Sequence, residues 1–160
     1  MNNNGPGLLR LWPKTGVWQV GLYRREDGEL ACNLRTGHQN EQTGEIYIWG
    51  LRETPKGTIL AIMDKNPAAV AGDTIRLFID RTLIGSFKAP YRFEKAGMSY
   101  LGSEVFTPEQ RTRILNLMRT GGSIEFATEG ATYTASLDGT AESLRNFDAC
   151  LGEAEVLAKP

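Results

Sequence analysis

Along most of this chain, apolar and polar residues alternate in short runs of strand length, and only two segments repeat their apolar positions at helical spacing. Residues 17–23 and 29–35 are β-type runs separated by Arg24-Arg25-Glu26-Asp27-Gly28, whose Asp-Gly step favours a tight hairpin turn. Residues 36–44 are uniformly polar and bounded by Gly, which predicts an exposed loop before a strand over residues 45–51. Strands are also predicted over residues 58–63, 74–79 and 83–87, with Asn66-Pro67 and Gly72-Asp73 punctuating the first connection. Residues 89–106 contain Pro90 and scattered aromatic and aliphatic side chains, which predicts one irregular strand. Residues 123–128 and 131–137 flank Glu129-Gly130 as a last hairpin.

The two helical segments carry their own signals. Thr107-Pro108-Glu109 has Thr at the N-cap and Pro at the first helical position; Ile114, Leu115 and Met118 then form an apolar face that stops at Gly121-Gly122. After Asp138-Gly139, residues Ala141, Leu144, Phe147, Cys150 and Leu151 recur near helical spacing, predicting a terminal amphipathic helix docked on a sheet. Neighbouring hairpins without strand and helix alternation predict a mainly β fold, an antiparallel sandwich or open barrel with two helices, the second at the C-terminus. Residues 1–15 are expected to be a flexible start that docks through Leu8, Leu9, Leu11 and Trp12, and residues 16–160 a single β-rich domain.

Composition narrows the possible functions. The net charge of −1 argues against a general nucleic-acid binder, because phosphate recognition needs a strongly basic face. The charge is uneven: residues 76–119 hold eight Lys or Arg against four Asp or Glu, and residues 125–160 hold two against seven. No apolar run approaches the roughly 20 residues of a membrane span. The opening Met1-Asn2-Asn3-Asn4-Gly5-Pro6-Gly7 is not a signal peptide, so the expectation is either a cytoplasmic protein or an exported one whose signal has been removed.

Cys32 and Cys150 are the only cysteines. They permit one bridge, which would tie the last helix to the first hairpin and close a long loop; two buried free thiols are the alternative. A widely separated pair fits an oxidising space better than a metal site.

Catalytic and cofactor motifs are absent. His38 is the only histidine, no Gly-x-Ser-x-Gly elbow exists, and Gly121-Gly122 follows a helix instead of opening one. No cofactor and no metal is expected. Asp64, Asp80 and Asp138 fall at predicted strand ends, where a carboxylate pair could do acid and base work or each Asp could simply bond nearby backbone N–H groups.

The aromatic residues Trp18, Tyr23, Tyr47 and Trp49 fall on adjacent predicted strands. In the third strand Ile46 and Ile48 share one face while Tyr47 and Trp49 share the other, and either face could be the inner one. With the isoleucines buried, Tyr47 and Trp49 would form an exposed binding patch bordered by Arg76 and Arg81.

Several stretches are similar to the invasion-associated locus B family of small exported bacterial proteins. Thr74-Ile75-Arg76-Leu77-Phe78-Ile79-Asp80 resembles that family's strand ending in Asp, and Gly85-Ser86-Phe87 the short strand after it. Residues 111–122, with Ile114, Leu115 and Met118, resemble its helix and Gly turn. Ile124-Glu125-Phe126 and residues 133–137 resemble the paired strands before the closing helix, here residues 139–147. A close cysteine pair common in that family is missing from residues 89–106. The resemblance implies a β-sandwich-like domain, export, and interaction with host or envelope, and it supplies no catalytic residues.

The expected function is therefore non-enzymatic binding of a protein partner in the periplasm or outside the cell, host-directed or aimed at a hydrolase, with residues 36–44 as a protruding probe. A carrier of a small apolar ligand would instead need a barrel cavity of about 300 Å³ or more. A carboxylate hydrolase is the third alternative.

Overall fold

The computed structural model describes residues 6–159. In chain order its strands are β1 (Gly7–Leu11), β2 (Gln19–Arg24), β3 (Leu30–Asn40), β4 (Glu45–Thr54), β5 (Gly57–Asp64), β6 (Thr74–Ile79), β7 (Thr82–Lys88), β8 (Tyr91–Lys95), β9 (Met98–Gly102), β10 (Ser123–Ala127) and β11 (Thr132–Ser136). The helices are α1 (Pro108–Thr120) and α2 (Thr140–Ala158), and a 3₁₀ turn spans Pro67–Val70. The fold is mainly β with two helices, as the alternation predicts. A seven-stranded antiparallel sheet runs β1-β2-β3-β4-β5-β9-β8, and a four-stranded one runs β11-β10-β6-β7. The two sheets face each other as a sandwich and do not close into a barrel.

Strand parity sets the core. Val20, Leu22, Cys32, Leu34, Trp49, Leu51, Leu60, Ile62 and Leu101 all point to one face of the large sheet and are buried. The four-stranded sheet covers part of this inner face, bringing Phe126 against Trp49 at 4.7 Å between ring centroids. Helix α2 covers the part over β2 and β3 with Leu144, Phe147 and Cys150. Helix α1 opens with the predicted cap: the Thr107 hydroxyl accepts from the Gln110 N–H at 3.1 Å, and the Gln110 side chain accepts from the Thr107 N–H at 2.8 Å. Its Arg111 Nε donates to Glu53 at 2.8 Å, tying the helix to the end of β4.

Three local expectations change. Residues 36–44 do not form a protruding loop: β3 runs to Asn40 and pairs His38 with Tyr47 and Asn40 with Glu45, leaving a short turn in which Asn40 Oδ1 accepts from the Gln42 and Thr43 N–H groups. Residues 89–106 form two strands, because Ala96 and Gly97 adopt positive φ of 54° and 79° and turn the chain into a β8–β9 hairpin. The start of the chain is partly ordered: β1 pairs with β2, Trp12 is buried and Leu9 packs against the core as expected, but Leu8 and Leu11 stay exposed because they lie on the opposite side of this edge strand. Residues 1–5 lie outside the described residues.

Candidate functional site

The residues singled out from the sequence scatter. Cys32 on β3 and Cys150 on α2 do form a disulfide, with 6.0 Å between Cα atoms and both residues buried. Trp49 is 2% exposed, set edge-on to Trp18 at 5.7 Å and packed on Phe126, so it is core and not part of a surface patch. The reason is parity: Trp49 shares its face with Leu51, and that face turns inward, putting Ile46 and Ile48 on the other side. Tyr47 is half-buried, stacked with His38 at 5.3 Å and set edge-on to Tyr133. Arg76 lies on the outer face of the four-stranded sheet over the Phe78 ring, and Arg81 sits in the β6–β7 turn. Tyr47, Trp49, Arg76 and Arg81 therefore do not meet.

Of the three aspartates, two are engaged in the architecture. Asp64 is buried; its Oδ1 accepts from the Asn66 N–H at 2.8 Å and its Oδ2 from the Tyr133 hydroxyl at 2.7 Å. Burial, and then the bond to the carboxylate, push the Tyr133 phenol well above its ordinary range. Asp80 Oδ1 accepts from the Gly122 and Ser123 N–H groups at 2.8 and 3.0 Å. Asp138 is exposed in the turn before α2. Among the described residues no group of three His, Cys, Asp or Glu is placed to hold a metal ion, and no helix is long and apolar enough to cross a membrane.

The outer face of the seven-stranded sheet has a different character. Register aligns three rows across it: Gly21, Asn33, Arg52 and Ile59; Gln19, Arg35, Gly50, Ala61, Gly102 and Tyr91; and Gly37, Ile48, Met63, Tyr100 and Phe93. The middle row is small at Gly50, Ala61 and Gly102; the β3 backbone crowds Gly50, where a Cβ would strike the Leu34 carbonyl oxygen, and the Ile59 and Tyr91 side chains cover Gly102. The third ends in an aromatic wall, where Phe93 stacks on Tyr100 at 4.5 Å with 7° between planes. Glycine at position 21 lets the Tyr23 ring fold flat onto the sheet; a Cβ there would lie 2.7 Å from the ring. Arg35 then sits over that ring at 5.6 Å.

The sheet coils strongly. The β2–β3 turn and the β8–β9 hairpin lie at diagonally opposite corners, yet Lys95 and Glu26 form an ion pair between them. This coil makes the outer face a trough and desolvates the polar groups on it. Tyr23 Oη, Asn33 Oδ1 and Arg52 Nε are all shielded from solvent and have no hydrogen-bond partner among the described residues. Burial pushes the Tyr23 phenol up, while the Arg35 and Arg52 charges pull it partway back. Burial, and then the charge of Arg25, push the Arg52 guanidinium below its ordinary value. No outward-facing strand position on this sheet is Asp or Glu, and neither Arg35 nor Arg52 makes an ion pair among the described residues.

A second concavity, a cleft of about 850 Å³, opens between the last turns of α2 and the β2–β3 and β4–β5 turns, beside the disulfide. Leu30, Leu151, Ala154 and Leu157 give it apolar walls, and charges of both signs ring it. It lies outside the sheets, unlike the barrel interior that an apolar-ligand carrier was expected to need.

Tyr23 is among the aromatic residues that the sequence singles out, whereas its neighbours Asn33, Arg35, Arg52 and Tyr100 are not. A signal existed in Gly21 and Gly50, since glycine inside a strand marks a close approach of a ring, a backbone or a ligand. No protein-family model, no curated protein and no solved structure matches this chain.

Proposed function

We propose that this chain is an exported, non-enzymatic binding protein of a bacterial envelope, and that the trough on its seven-stranded sheet is the recognition surface. The observation that carries this reading is the pair of guanidinium groups on that face, one of them desolvated, neither of which makes an ion pair among the described residues. Removing a charge from water without a partner costs several kcal/mol, and proteins keep such an arrangement where something else supplies the acceptors. The Cys32–Cys150 crosslink supports an oxidising compartment, and the resemblance to the invasion-associated locus B family points the same way. The test is an amide chemical-shift titration of the folded protein with a panel of small anionic, cationic and uncharged amphiphiles. Saturable shifts should fall on β2 to β5, β8 and β9. Silence across the panel, or shifts confined to the four-stranded sheet, would overturn the assignment.

A protein partner, the occupant expected from the sequence, is favoured by one feature. Edge strand β8 presents Tyr91 and Phe93 at 54% and 51% exposure, and an added strand could pair there. The pairing would be seen as protection of the β8 amides from hydrogen exchange.

A further inference from the structure

Resting on that reading, we propose that the trough takes a small amphipathic anion, a singly charged oxyanion head on an alkyl or aromatic body. Head and body each have a matching half of the face. At one end, Arg52 and Arg35 bracket Tyr23 on neighbouring strands, and Asn33 stands directly across from Arg52 in the β3–β4 register. Tyr23 Oη and Arg52 Nε are donors without a partner among the described residues, and the Asn33 amide offers an acceptor or, turned over, a donor; neighbouring side chains cover all three, and the head reaches them by displacing that cover. These are the groups a carboxylate or sulfonate uses, and guanidinium forks match its two coplanar oxygens. A single charge fits better than a dianion, because Asp27 also lies within reach of Arg52 and part of the site is dry.

The other half of the face is apolar. Ala61 leaves the centre low, Ile48 and Met63 flank it, Ile59 and Tyr91 close over Gly102, and the stacked Phe93 and Tyr100 close its far side. The Glu26–Lys95 ion pair bridges the corners of the coil, so the occupant is slender. A folded domain would have to break that bridge to reach the arginines.

Octanoate is the first probe, compared with octanol and octyltrimethylammonium in amide-shift titrations at low salt. Octanoate should saturate with its largest shifts at Gly50, Ala61 and Gly102, bind at least tenfold tighter than octanol, and weaken as salt rises. Arg52→Gln should weaken octanoate about tenfold or more while leaving octanol unchanged. Arg35→Gln makes the same test on a side chain without an ion pair, should Arg52→Gln fail to fold. Octanol and octanoate binding equally well on this face would sink the anion assignment and leave the binding role standing. Octanoate shifts centred on the cleft beside Cys32–Cys150 would overturn the site, and silence from all three probes would remove both proposals.

Discussion

The Asp64 carboxylate is buried at the end of β5, and its two oxygens accept one backbone and one phenolic hydrogen bond. A carboxylate held this way fixes the approach of β11 to β5. Tyr133→Phe removes the donor to Oδ2 and should cost about 1–3 kcal/mol, read from urea unfolding at pH 7. The pH dependence has a definite sign. Because the folded state holds the Tyr133 proton above its ordinary pKa of about 10, stability is intact below that pH and declines as pH rises through it. Tyr133→Phe should flatten that alkaline decline, leaving the smaller part contributed by Tyr23, whose phenol is also pushed up. That an Asp at a strand end serves the backbone was legible from its position in the chain. Its phenolic partner 69 residues away was not, since no local pattern reports a contact between sheets.

Turns decided most of what differed between elements. The Thr-Pro start of α1 and the Asp-Gly turn of β2–β3 follow from chemistry within four residues and read directly from the chain. The β8–β9 hairpin was hidden because Ala96 is an unusual residue for a positive φ. The β6–β7 turn is of the same kind, with Asp80 and Arg81 at φ of 50° and 66°. Arg81 has no partner there to offset the left-handed conformation among the described hydrogen bonds, whereas Asp80 is held by two backbone donors. Arg81→Gly should therefore raise stability by about 0.5–1 kcal/mol, the left-handed cost less the added backbone entropy, seen as a higher thermal midpoint. The change also removes a charge from the β6–β7 turn of the small sheet, away from the trough, so octanoate binding there should be unaltered by it.

Across the whole molecule, one covalent bond joins two layers 118 residues apart in sequence. Replacing both Cys32 and Cys150 by Ala should lower unfolding free energy by up to about 5 kcal/mol if loop entropy dominates, with α2 the first element to lose hydrogen-exchange protection. A loss under about 1 kcal/mol would mean that packing of Leu144 and Phe147 alone holds the helix. Alkylation of the folded, unreduced protein should find no free thiol, since no described cysteine is unpaired. The sequence by itself determined where most strands lie, the two helices, the hairpin-rich antiparallel class and the possibility of one bridge, because each depends on periodicity or on residues close in the chain. Only the tertiary structure decided which face of each strand is inner, since a period of two makes both faces equivalent until another layer covers one of them. That choice buried Trp49, turned Ile48 outward, and brought Arg35 and Arg52 from adjoining strands onto a coiled face where neither makes an ion pair among the described residues.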